Sequence, residues 1–215
     1  MTQPINFKYV LAVKQRGVVL FLALIALVAL SLAAVALIRS VDTSTLIAGN
    51  IAFKQSATNS ADAGVESAIA WLTGVQSANS NINVLTNPTH PFNITNAANG
   101  YYSNVSDDPV AADYVDLRAD ATWAISTIPA VTDSSGNTIR YIIQRMCRNA
   151  DVAIQNADCL FSDAVEDPNG QQIALPQDVC DGDGCPVAGQ TPQIRITARA
   201  TGPKNSVSYV QAFVY

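Results

Sequence analysis

The sequence predicts an α+β fold, a long N-terminal α-helix packed on a C-terminal antiparallel β-sheet of about four strands. Three observations predict it. Val18 to Ile38 reads VVLFLALIALVALSLAAVALI, 21 residues without a charge. Beyond that run, apolar residues keep recurring at helical spacing as far as Leu72. From Tyr114 onward the apolar period drops to two.

The first element accounts for an odd composition. The 215 residues are 49% hydrophobic and only 13% charged, with a formal net charge of −5. That charged fraction is about half the usual value for a soluble domain. The chain is too apolar for disorder, and its acidic balance argues against nucleic acid as a partner. Val18–Ile38 carries none of these charges. A helix needs roughly 20 apolar residues to cross a bilayer core of about 30 Å. Lys8, Lys14 and Arg16 precede the run, and no acid occurs before Asp42. Cations on that side predict a cytoplasmic N-terminus, with the rest of the chain exported.

Three readings of such a segment compete. It fits a retained signal anchor. Ala34-Val35-Ala36 offers a signal-peptidase pattern, although the apolar stretch exceeds the usual 7–15 residues of a cleaved signal. Lys14-Gln15-Arg16-Gly17, directly before the run, is the arrangement of a prepilin leader, whose cleavage keeps the apolar helix.

No turn signal follows Ile38. Ile47, Ile51, Ala61, Val65, Ala68 and Leu72 form one face, flanked by Ala57, Ile69 and Trp71. Asn50, Lys54, Asn59, Asp62 and Glu66 take other positions, as an amphipathic helix requires. The helix is expected from about Val18 to Thr73, roughly 80 Å at 1.5 Å per residue. Gly49-Asn50 is its weak point, read as a hinge or unwound turn, with an ordinary helical glycine as the alternative. A domain of this size cannot bury such a rod, so half of it must meet lipid or other subunits.

Val75–Asp113, rich in Asn, Ser and Thr with three prolines, reads as a long irregular connection. Val115, Leu117, Ala119, Ala121, Trp123 and Ile125 then alternate with more polar residues, which predicts a half-buried strand. Asp133–Asn137 is a turn cluster before a second strand over Thr138–Arg148. Ile194–Thr201 alternates again, and Gly202-Pro203-Lys204-Asn205 turns the chain into Val207–Tyr215. That last segment is apolar on both faces and is expected to be interior or covered. The division expected is 1–17 leader, 18–38 span, 39–73 amphipathic continuation and 74–215 exported domain.

These residues carry a resemblance. Arg16-Gly17-Val18-Val19-Leu20-Phe21, Ala48-Gly49-Asn50, Ala61-Asp62-Ala63-Gly64-Val65-Glu66 and Trp71-Leu72 resemble the PilX-type minor pilins of type IV pili. Arg199-Ala200-Thr201-Gly202-Pro203 and Tyr209-Val210-Gln211 look like the same group, whereas 74–114 matches nothing in it. The resemblance implies cleavage by prepilin peptidase between Gly17 and Val18, with Val18 becoming the N-methylated first residue. Loss of the leader's three cations would take the charge from −5 to −8. It also implies residence in the inner membrane before assembly, and in the pilus at the cell surface afterwards. The partners implied are other minor pilins and the major pilin, through the N-terminal helix, and a tip adhesin. Such proteins prime pilus assembly and sit near the filament tip.

One departure matters. Most pilins carry Glu at the fifth mature position, where it pairs with a neighbour's terminal amine; here that position is Leu22. An unpaired charge in an apolar filament core is costly, so Leu22 suits a priming or tip subunit rather than an endlessly repeated one. A type II secretion pseudopilin and a single-pass anchored binding domain are the alternative functions.

Four cysteines in an exported domain suggest two disulfides. The spacing favours Cys147–Cys159 and Cys180–Cys185 over the crossed pairings, and fits no common zinc pattern. Asp178, Asp181 and Asp183 lie beside two glycines, a weak Ca²⁺ candidate that lacks the full EF-hand pattern; the alternative is a solvated acidic turn. No nucleophile, phosphate-loop or metalloprotease motif occurs, and the single histidine, His90, reads as an exposed loop residue. The expectation is no enzyme and no cofactor. Asn93-Ile94-Thr95 and Asn104-Val105-Ser106 are sequons that only a eukaryotic secretory route would use.

Overall fold

A computed structural model describes residues 17–124 and 130–215. The leader cations Lys8, Lys14 and Arg16, and the strand positions Ile125 and Ser126, lie outside the described residues. The chain divides into two compact units, one up to Asn50 and one from Ile51 to Tyr215.

Helix α1 runs from Val18 to Ala78, 61 residues. It passes through Gly49 and Asn50 without a break in its helical assignment, so the expected unwound turn is absent. It also continues past Thr73 and Gly74, because nothing before Asn79 supplies a competing turn; the Asn79 side chain then donates to Val75 C=O at 2.8 Å and closes the last turn. In the first unit every residue from Val18 to Ala48 is exposed. Its one hydroxyl within the apolar run, Ser31, donates back to Leu27 C=O at 2.8 Å. An apolar surround would therefore find no unpaired polar group there.

In the second unit the buried face of α1 is Ala57, Ser60, Ala61, Gly64, Val65, Ala68 and Leu72. Ile47 and Ile51, expected on the same face, are exposed. The face is made of small residues where it lies lowest on the sheet. An added Cβ at Gly64 would stand 2.7 Å from Ile139 Cγ2 and 3.0 Å from Ala198 Cβ.

The sheet contains β1 (Tyr101–Tyr102), β2 (Ala130–Thr132), β3 (Thr138–Arg145), β4 (Ile194–Thr201) and β5 (Val207–Val214). Its order is β1-β3-β4-β5, with β2 pairing β3 antiparallel at its start and β1 pairing it in parallel near its end. β3, β4 and β5 form an antiparallel meander in continuous register. Tyr141, Ile143, Ile196, Ala198 and Ala200 meet the helix, with Val210, Ala212 and Val214 packed at the margin. This is the helix-on-sheet core that the two periodicities predict.

Three expectations need correction. Residues 115–124 are not a strand: they make turns and a short helix α2 (Asp120–Ala124) that lies over the other face of the sheet. Asp116 explains the difference, because its side chain accepts from Arg118 N–H at 2.9 Å and its carbonyl from Thr122 Oγ1 at 2.6 Å. Such local bonds compete with a ladder. Trp123 is nonetheless buried against Ile142, with Val115, Leu117 and Tyr102 partly buried around it. Next, β3 stops at Arg145 rather than Arg148. Finally, β5 is covered on its helix side only: Val210, Ala212 and Val214 pack against the core, while it lies at the sheet edge with Tyr209 and Phe213 about half exposed.

Candidate assembly surface

Among the described residues, the N-terminal half of α1 is a long exposed apolar surface. Leu20, Leu24, Leu27, Leu30 and Leu37 are each at least 60% exposed. The helix qualifies by length and composition as one membrane span, with none of its most apolar window buried. Gly17 precedes the helix and Val18 begins it, so the glycine–valine junction falls where irregular chain becomes helix. Leu22 is exposed on the first turns, with no acid in the opening turn of the helix. Chemically this surface can do one thing well: pack against lipid or other helices by shape and dispersion rather than by charge.

The second unit holds the polar machinery that keeps this helix on its sheet. Asp133 opens the β2–β3 turn and accepts backbone N–H bonds from Ser135 and Asn137, each at 2.8 Å. Its other oxygen accepts from Ser60 on α1 and from Asn137 Nδ2. Asn137 also donates to Ser60 Oγ at 2.9 Å and to Ser56 Oγ at 3.0 Å. The Ser60 and Asn137 bonds hold the Asp133 carboxyl down at about 2.

At the opposite end of the sheet, Arg145 is fully buried on the helix side. Its Nε donates to Ser103 C=O at 2.8 Å, Nη1 to Asn93 Oδ1, and Nη2 to Val152 C=O at 3.1 Å. Burial lowers its pKa while the Tyr101 and Asp151 side chains oppose that shift. Asn93, in turn, donates to Val84 and Asn87 carbonyls at 2.7 and 2.8 Å. Arg145 thus ties the irregular 84–103 segment to the sheet end, beside an apolar cavity of about 510 Å³ lined by Leu72, Phe92, Tyr101 and Ile194. The sequence carried a signal for it: strand alternation puts position 145 on the same face as Ile139, Tyr141 and Ile143.

His90 is buried, contrary to the expectation of an exposed loop residue. Its Nδ1 accepts from Phe92 N–H at 3.1 Å, its ring lies 5.2 Å from Phe92, and burial lowers its pKa. It caps the Pro91–Asn93 turn. The two sequon residues, Asn93 and Asn104, are buried as well.

Disulfides join Cys147 to Cys159 and Cys180 to Cys185. The first bridges the exit of β3 to the strand-like segment beyond it, and the second closes the Asp181–Gly184 loop. Asp181 and Asp183 are exposed in that loop, and Asp178 is exposed ahead of it. Among the described residues no group of three His, Cys, Asp or Glu side chains is placed to hold a metal ion.

A long N-terminal helix, apolar and exposed in one half and seated on an antiparallel sheet in the other, defines a pilin-like fold with a membrane-compatible helix. The chain matches no protein-family model, no curated protein and no solved structure.

Proposed function

We propose that this protein is a minor pilin of a type IV pilus that takes part in priming assembly and sits at or near the filament tip. One observation carries the reading: the exposed apolar half of α1 presents Leu22, not an acid, at the fifth position after Gly17. A subunit lacking that carboxylate cannot neutralise the terminal amine of a neighbour nearer the tip in an apolar core. It can still start a filament or cap one, where no such neighbour is present. Before assembly Val18–Ile38 holds the subunit in the inner membrane as a single pass with a cytoplasmic N-terminus. Transfer from lipid to filament exchanges one apolar surround for another, so helix packing and partner contacts decide it. Other minor pilins, the major pilin and a tip adhesin are the partners, and prepilin peptidase is the processing enzyme.

The test is location. With an epitope tag on the exported domain, antibody label on sheared pili is expected at filament ends only, and deletion of the gene is expected to reduce piliation. Label spaced along the whole filament would contradict a tip role. Normal piliation with blocked protein secretion would assign the chain to a type II secretion pseudopilus instead.

A further inference from the structure

The face of the sheet away from the helix carries a polar pocket. Gln144 on β3 and Arg195 on β4 are direct cross-strand partners. Strand alternation turns both away from the side on which Ile143 and Ile196 meet α1. Arg195 Nη2 donates to Gln144 Oε1 at 2.7 Å, and Gln144 is only 2% exposed, so the pair forms a fixed floor. Arg195 Nε is buried and has no hydrogen-bond partner among the described residues. A buried donor on a charged group is costly to leave unpaired, and Arg195 lines a cavity of about 530 Å³.

Two segments, 105–107 and 114–118, wall this cavity. Val105 N–H donates to Cys147 C=O at 2.9 Å, which ties the first to the exit of β3. Asp116 C=O accepts from Thr122 Oγ1 at 2.6 Å and Leu117 C=O from Trp123 Nε1 at 3.0 Å, which ties the second to a buried tryptophan. The cavity is therefore preformed, and its size falls in the range of small-molecule sites, about 300–1,000 Å³.

The lining selects the chemistry. Arg118 and Arg195 bring two cations, and Asp107 and Asp116 bring two carboxylates. The Asp107 charge acts on Arg195, opposing the lowering of its pKa by burial. One Asp116 oxygen accepts from Arg118 N–H at 2.9 Å, and among the described residues its other oxygen accepts no bond. An anion would be attracted by the guanidinium groups and repelled by the carboxylates, and a cation the reverse. An apolar ligand would strip water from both. A hydroxyl donates to a carboxylate and accepts from an N–H at the same time. Tyr114, 37% exposed at the wall, adds a ring for the C–H face of a pyranose.

We propose that this pocket binds a neutral saccharide. Arg195 Nε and Arg118 donate to its hydroxyls, Asp107 and Asp116 accept from them, and Tyr114 stacks on the sugar ring. The inference goes beyond the proposed function, since it does not depend on what the apolar helix assembles with.

The test uses the full chain in a detergent without a sugar headgroup and follows the Arg195 Nε–H resonance by heteronuclear NMR. The probes are the methyl glycosides of glucose, galactose, mannose and N-acetylglucosamine. A ligand of that size, at the efficiency of ordinary ligands, binds with a Kd of about 1 mM. At least one probe is expected to shift the resonance saturably near that concentration. Tyr114→Ala and Asp107→Ala, both at exposed positions, should each weaken binding about fivefold or more while the near-ultraviolet signal of Trp123 is retained. Asp181→Ala, outside the pocket, should bind like the parent. Saturation transfer from the Tyr114 ring to the probe in the parent protein decides the matter if a variant fails to fold. Absence of a saturable shift with all of the glycosides up to about 50 mM overturns the proposal, as does binding that neither pocket variant weakens. A shift produced by sodium acetate or glycine at lower concentration than by any glycoside assigns the pocket to a small anion or zwitterion and also overturns it.

Discussion

At Gly64 helix and sheet approach closely, and Gly64→Ala tests whether that approach is tight. An alanine in a helix interior is worth about 1 kcal/mol over glycine, so propensity alone predicts stabilisation. The site opposes it. The new methyl would lie 2.7 Å from Ile139 Cγ2 and 3.0 Å from Ala198 Cβ. Neither atom can swing away: one belongs to a β-branched side chain with few rotamers, and the other is fixed to the backbone of a central strand. Overpacking of this kind costs about 1–3 kcal/mol. The net is a loss of up to about 2 kcal/mol, or up to roughly 8 °C in Tm for a chain of this size. Gly74→Ala is the control, since it sits in the same helix with nothing within 4 Å of an added Cβ. It should gain up to about 1 kcal/mol. Both are read by thermal melts of Trp71 and Trp123 near-ultraviolet signals in one detergent. Ile139→Ala removes the Cγ2 methyl, so Gly64→Ala should cost less in that background than in the parent. If Gly64→Ala raises Tm as Gly74→Ala does, the close contact between α1 and β3–β4 is wrong.

Three more outcomes follow from the second unit. Because the Asp133 carboxyl is lowered from 3.8 to about 2 in the fold, its contribution is present above pH 3.8 and is lost as pH falls toward 2; Asp133→Asn should flatten that part of an acid-unfolding curve. Arg145→Met keeps the stem but strands the Ser103, Asn93 and Val152 acceptors, and should cost about 3 kcal/mol by denaturant titration, with Arg145→Lys unable to restore all three bonds. Removing Cys147–Cys159, which spans 12 residues, should cost about 3 kcal/mol, against about 2 for Cys180–Cys185, which spans 5, as measured by melts of paired Cys→Ser variants.

The parts of the fold governed by a single period were legible. Ala57, Ala61, Val65, Ala68 and Leu72 share one helical face and meet the sheet. Ile196, Ala198 and Ala200 alternate and meet the helix. Residues 115–124 were not legible, because Asp116 offers local bonds that a count of apolar residues does not weigh. The alternation there is real but reports burial of Val115, Leu117 and Trp123 on one sheet face, not an extended chain. β5 misled in the opposite sense. Its apolar outer row suggested burial, yet nothing in a single sequence tells a central strand from an edge. His90 was read from turn-prone neighbours; its ring is buried beside Phe92 and its Nδ1 caps the turn, which composition does not encode. The apolar half of α1 was the clearest signal of all, since 21 uncharged residues have few uses outside a membrane or a helical assembly.

The central claim is that this apolar helix is processed and kept. Mass spectrometry and N-terminal sequencing of the membrane-bound form test it most directly. A chain starting at N-methylated Val18, 198 residues long (215 less the 17 of the leader), is the result predicted. Retention of Met1 would make the segment an ordinary signal anchor, and a start at Leu37 would make it a cleaved secretory signal; either would contradict the pilin account.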